Sequence, residues 1–443
     1  MAIAVASLLP VRSASALTAP SKKKWSSEAT NIVKDIRVPT FPKRSITPEL
    51  SPAVDTRIVI QEAIDTLNRD GGGRVVIPKG TWNIEGPIKL KSNINLHLTD
   101  GATLLFSDKP EDYLPAVLTR WEGTEMFGFS PFVYALHATN IAITGNGTIN
   151  GNCASPTSPW RTAQERYPQR SLREDGREGE PLFERVYEDG DLLRPSLIQF
   201  FGCSSILVED ITTVGAPFWG IHLVYSQDAT IRRVTARSKG SNNDGVDVDS
   251  SNKVLIERCV FETGDDCVAI KSGRDLDGRS IGRPSEDIVI RDCVMNDGRS
   301  AGVAFGSEMS GGIRRIYVQR CAMKRVETAI NIKSNLDRGG VVEKVRVWDL
   351  HIGECETVFE ITTAYHGYTG GIYPPTFRDV QLDSVSCDRA LEGIVIKGAV
   401  EAPIEEVSVS YTTIRSCDKP LTTTHSTHLS LHQFVANNKL VTL

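Results

Sequence analysis

What is scarce in this 443-residue chain narrows it before any motif is read. No run of 18 or more consecutive apolar residues occurs, so the sequence offers no membrane-spanning helix. Basic residues form no run longer than Lys22 to Lys24 and the net charge is −5, which leaves no electrostatic footprint for nucleic acid. Nine cysteines include no pair at C-x-x-C spacing, which argues against a structural zinc or a dithiol redox centre, and no metal or cofactor is expected. Glycine (36) and proline (22) stand near ordinary usage and exclude collagen-like or low-complexity architecture. With 40% hydrophobic and 24% charged residues, the composition is that of a folded globular protein, an enzyme or a binding protein.

The N-terminus, MAIAVASLLPVRSASA, joins a short apolar run to Ala14-Ser15-Ala16 without the usual positively charged start. Residues 1–24 are read as an export signal or an unstructured tail, the former implying a secreted or periplasmic protein. The remainder, 25–443, is dominated by a repeat. SILVEDIT, ATIRRVTA, VLIERCVF, DIVIRDCV, RIYVQRCA, KVRVWDLH, DVQLDSVS and EVSVSYTT each place β-favouring residues at alternate positions. Taking one of these residues as the marker gives Val208, Ile231, Ile256, Ile290, Val318, Val347, Leu382 and Val409, at intervals of 23 to 35 residues. Each interval holds a further strand, such as GIHLV, GVDVDS, CVAIKS, GVAFGS or AINIKS, with no helical period between. Short strands at this spacing predict an all-β fold, a single-domain right-handed parallel β-helix whose one core grows with coil number. Cys259, Cys293 and Cys321 fall three residues after three successive markers and read as a packed apolar column.

Asp55 to Asn68 carries an amphipathic helical pattern and is expected to cap the open N-terminal end of the core. Residues 153–194, polar and charged with little periodicity, are expected to leave the coil stack as a long excursion walling a groove.

Aligning NNDGVDVDS with GDDCVAIKS sets Asp244 opposite Asp266 and Asn243 opposite Asp265, one coil of 22 residues apart. Adjacent strands lie about 4.8 Å apart, so the carboxylates stack within reach of a shared water. Charges this close cannot all ionise at their ordinary pKa. That suits acid–base hydrolysis, with one protonated carboxyl for the leaving oxygen and one carboxylate for the water. A turn or a calcium site at a coil corner is the competing reading, since Asp and Asn favour turns.

NNDG, TGDDCVAIKSGR, GSEMSGG and RGGVVE, with QEAIDTLNRDGGGRVVIPKGTW and ITGNGTINGN before them, together resemble glycoside hydrolase family 28, the polygalacturonase family, over nearly the whole chain. The resemblance implies inverting, metal-free hydrolysis of a pectic polysaccharide by a monomer, with Asp265 as general acid and Asp244 and Asp266 holding and deprotonating the water. Two departures stand out. The family's histidine beside glycine is replaced within Arg299-Ser300-Ala301-Gly302, and its Arg-Ile-Lys reads Asn331-Ile332-Lys333.

Alternation places His222, Asp247, Ala269, Ala304, Asn331 and Glu360 in one outward row. Asn242, Asp247, His222, Asn331, Lys333 and Tyr365 are the expected substrate-binding residues, with His222 read as a hydrogen-bonded or solvated surface side chain. Trp121, as a possible stacking platform, and Glu308 are weaker candidates. Losing the arginine removes a bidentate grip on a galacturonate carboxylate, so a rhamnose-directed or rhamnogalacturonan hydrolase of the same family is an alternative. A calcium-dependent lyase and a non-catalytic carbohydrate-binding β-helix are further ones.

Overall fold

The computed structural model describes residues 20–51, 55–162, 166–188, 190–367 and 370–443. The chain winds into a right-handed parallel β-helix, and the strands of its coils pair in parallel with their counterparts one coil before and after. The marker residues form one unbroken column. Val208 is partnered with Ile231, and then in turn come Ile256, Ile290, Val318, Val347, Leu382 and Val409. A second column runs through Ile198, Ile221, Val246, Val268, Val303, Ile330, Phe359 and Ile394. Both columns are buried in a continuous core that extends from Ile60 to Ala436. Because side chains alternate about the strand, each inward residue meets its equivalents above and below, and each large one contributes about 1.5–3 kcal/mol of burial. Cys259, Cys293 and Cys321 lie in this core, all with exposures of 2% or less.

The N-terminal cap is helix Arg57–Arg69, which presents Ile60, Ala63, Ile64 and Leu67 to the first coil. It begins two residues later than the sequence pattern predicts, because the Asp55 carboxylate turns back to accept the Arg57 N–H at 2.9 Å. Another helix, Pro20–Asp35, runs along the side of the solenoid. Its Trp25 and Ala29, with Ile36 just beyond it, cover Leu255, Val289, Tyr317 and Trp348, outward residues of successive coils. Lys22 pairs with Asp349 at 2.9 Å and Asp383 at 3.2 Å. The expected N-terminal tail is therefore corrected at its end, since 20–24 already belong to this docked helix. The export-signal reading of residues 1–19 lies outside the described residues.

The segment 153–194 is not irregular where it is described. It contains helices Pro159–Thr162 and Arg166–Glu178. Leu172, fully buried, anchors the longer one in a cluster with Trp121, Met126, Phe218 and Trp219. Trp121 itself belongs to an antiparallel hairpin, Val117–Trp121 with Thr124–Gly128, that folds over the same face.

Candidate active site

The turns that precede two paired strands carry the chemistry. Asn242, Asn243 and Asp244 precede Val246–Asp249, and Asp265 and Asp266 precede Val268–Lys271. Val246 is partnered with Val268, a register that carried back two residues sets Asp244 opposite Asp266. Glycine permits this approach: a side chain at Gly264 would collide with the Gly240 backbone, and one at Gly245 with the Cys267 carbonyl. One carboxylate oxygen from each of Asp244, Asp265 and Asp266 lies within 4.8 Å of the other two.

The three environments differ. Burial alone would raise the Asp266 pKa, but the ammoniums of Lys333 and Lys271 and hydrogen bonds from Ser300 and Lys333 override it and hold the carboxyl below its ordinary value. Lys333 Nζ sits 2.9 Å from Asp266 Oδ2, while Ser300 Oγ and the Ala301 N–H donate to Oδ1 at 2.6 and 2.9 Å. Asp265 is pushed up, first by burial and then by the neighbouring Asp266 charge, against an opposing hydrogen bond from the Asn242 N–H. That N–H donates to Asp265 Oδ2 at 2.9 Å. Asp244 is raised well above its ordinary value by burial, Asp247 and Asp265. Its Oδ1 is buried without a hydrogen-bond partner. Both Asp266 oxygens and both Asp265 oxygens already accept donors. A donor set so engaged suits holding and moving protons better than chelating a cation.

The row of outward residues is as read: His222, Asp247, Ala269, Ala304, Asn331 and Glu360 are successive Cα partners. Two of its members need correction. His222 is not a surface residue; it is fully buried, its Nδ1 2.9 Å from Gln199 Nε2 and its ring edge-on to Trp219 at 4.7 Å. Asp247 is also fully buried, with Lys271 Nζ 3.9 Å from its Oδ1. Hairpin and excursion cover this part of the row, so neither side chain presents a free face to a sugar. Asn331 and Tyr365 remain partly exposed. Asn331 Oδ1 is buried and has no partner among the described residues, and Lys333 Nζ lies 5.3 Å from the Tyr365 ring centre. Asn242 accepts a hydrogen bond from Arg194 at 2.9 Å, which fixes the turn that holds Asp265.

Trp121 is packing, stacked on Phe218 at 5.1 Å. Glu308 is no free turn residue: it pairs with Lys271 and with Arg274, each at 3.1 Å. Sequence reasoning missed three contributors. Ser300, in the stretch that lacks the histidine, donates to Asp266. Lys271 sits among Asp247, Glu308 and the Trp219 ring, 4.7 Å from its centre; its outward position in VAIK was the available signal. Arg161, from the excursion, donates to Asn243 Oδ1, and nothing in its local sequence announces that reach.

A family model for glycosyl hydrolases family 28 matches residues 184–430, which include all of this site except the excursion and hairpin. A probable polygalacturonase of Vitis vinifera is 30% identical over 356 residues, 75% of this chain and 67% of the relative. The chain belongs to glycosyl hydrolases family 28. Family 28 membership makes it a glycoside hydrolase and sets aside the lyase and non-catalytic alternatives. An endo-polygalacturonase of Pectobacterium parmentieri is 25% identical over 407 residues, covering 87% of this chain and 89% of that one. Among solved structures, a hyperthermoactive exopolygalacturonase from Thermotoga maritima superposes with TM-score 0.90 at 34% identity, covering 94% of this chain and 97% of its own. These relatives do not favour the rhamnose-directed reading.

Proposed function

We propose that this family 28 protein hydrolyses the galacturonan backbone of pectin from a chain end. The observation that carries the chemistry is the opposed bias of adjacent carboxyls: Asp265 is pushed toward the protonated form and Asp266 toward the ionised one. Asp265 protonates the leaving glycosidic oxygen. Asp266, aided by Asp244 one coil below, orients a water and takes its proton. Lys333 and Ser300 keep Asp266 charged, and Asn242 holds Asp265 in place.

The direction of the groove supports end-cleavage. On the N-terminal side the excursion reaches the NNDG turn through Arg161 and Arg194, and Trp219, Phe218 and the hairpin close over it. On the C-terminal side Asn331, Glu360 and Tyr365 leave the row partly open. A chain enters a pocket of this shape by one end. The exopolygalacturonase with the similar structure is consistent with that mode.

Inversion at the anomeric carbon is the expected stereochemistry, with one water displacing the leaving group directly. The closeness of the carboxylates, nearer to the ~5–5.5 Å of retaining enzymes than to the ~6.5–9.5 Å of most inverting ones, makes a covalent two-step route the competing outcome. Proton NMR of the first product formed decides between them: the inverted anomer supports the single displacement, and the retained anomer replaces it with the two-step route.

A further inference from the structure

The missing arginine at position 331 leaves a question of charge. Asn331 offers an unpartnered amide oxygen where the family's Arg-Ile-Lys would place a guanidinium. That oxygen is buried and, being an acceptor, cannot grip a carboxylate. Lys333, the cation that persists in the motif, is committed to Asp266 at 2.9 Å. A galacturonate bound beyond the scissile bond needs another cation.

A cavity of about 530 Å³ opens along the turns of the coils that follow the triad, lined by Arg299 and Glu327 but by none of the three aspartates. Three arginines line it, Arg299, Arg325 and Arg389. Arg325 is held by Asp297 at 2.9 Å and Arg389 by Glu354 at 3.8 Å. Among the described residues Arg299 has neither a hydrogen bond nor an ion pair, and it is exposed. It directly precedes Ser300, whose hydroxyl is 2.6 Å from Asp266, so its guanidinium starts one residue from the catalytic carboxylates. Glu327 lines the same cavity, and its N–H donates to the Ser300 carbonyl at 2.9 Å. Glu327 and Glu356 on that wall disfavour a second carboxylate, which confines an anionic grip to the Arg299 side.

Resting on the reading of this site as a galacturonan hydrolase, we infer that Arg299 is the specificity-determining cation of the subsite beyond the cleaved bond, holding a galacturonate carboxylate there in place of the arginine absent from position 331. The guanidinium fork matches a carboxylate in two parallel hydrogen bonds.

The test is calorimetric binding of trigalacturonate and of its fully methyl-esterified counterpart to Asp265→Asn protein, with and without Arg299→Gln. The second substitution is expected to weaken trigalacturonate about tenfold to a hundredfold and to leave the ester unchanged. Arg299→Lys, which keeps the charge and loses the fork, is expected to fall between. Unchanged trigalacturonate affinity in Arg299→Gln overturns the inference, as does an equal loss on acid and ester. Wild-type protein that binds trigalacturonate through Arg299 without cleaving any galacturonan overturns the activity alone. Failure of Asp265→Asn protein and wild type to bind trigalacturonate at all overturns both.

Discussion

At the scale of single residues, the site is an arrangement of three carboxyls whose surroundings pull them apart. In the proposed mechanism Asp265→Asn removes the proton donor and keeps the shape; a fall of about 10²–10⁴ in kcat is expected, with an unchanged melting temperature. Lys333→Met tests the other half. Without that ammonium burial dominates, and the Asp266 pKa rises, so the acid limb of the pH–kcat profile moves to higher pH; an unmoved limb would remove Lys333 from the account. The stability effect has a defined sign. A carboxyl whose folded pKa lies below its unfolded one stabilises the protein above the unfolded pKa, and that contribution is lost as pH falls through the folded value. Breaking the buried Lys333–Asp266 pair therefore costs about 3–5 kcal/mol near neutrality, read by chemical denaturation, and less in acid where Asp266 is protonated in both states. Asp244 opposite Asp266 was legible because the repeat sets the register, and the spacing of 22 residues is visible in the sequence. The burial of His222 and Asp247 was not legible, since it depends on a hairpin and an excursion that arrive from 50 to more than 100 residues away in the chain.

At the scale of elements, the strands were readable and the helices were only partly so. A β-strand in this solenoid declares itself by period-two alternation, repeated coil after coil, and the eight markers from Val208 to Val409 stand in one column because nothing but strand geometry decides their place. Helix Arg57–Arg69 shows its four buried apolar positions plainly. Helix Arg166–Glu178 buries Pro168, Leu172 and Gly176 among charged residues, and only Leu172 of these is a large apolar side chain, so its periodicity is faint in the sequence. Helix Pro20–Asp35 buries Trp25 against Trp348, with ring centres 5.8 Å apart, on an outer face that the alternation rule assigns to solvent. Trp25→Ala uncovers that face and is expected to destabilise by about 3–5 kcal/mol in denaturant unfolding while leaving KM on galacturonan oligomers unchanged. A loss below about 1 kcal/mol would show that the helix is not held by this contact.

At the scale of the whole molecule, a stack of coils supplies a long rigid floor, and departures from the stack decide how a polymer meets it. The excursion and the hairpin wall the N-terminal side, and Asn331, Glu360 and Tyr365 leave the other side partly open. Under the proposed cleavage from a chain end, a digest of polygalacturonate is expected to lose viscosity slowly relative to the reducing ends formed; a rapid drop would mean internal cleavage and a groove open at both ends. The same digest, followed by time-resolved product analysis with wild-type and Asp265→Asn protein side by side, tests the central claim. Saturated galacturonate is predicted to accumulate from the earliest times with wild type and to be absent with Asp265→Asn. An unsaturated product, no product from wild type, or undiminished release by Asp265→Asn would contradict hydrolysis by the aspartate triad.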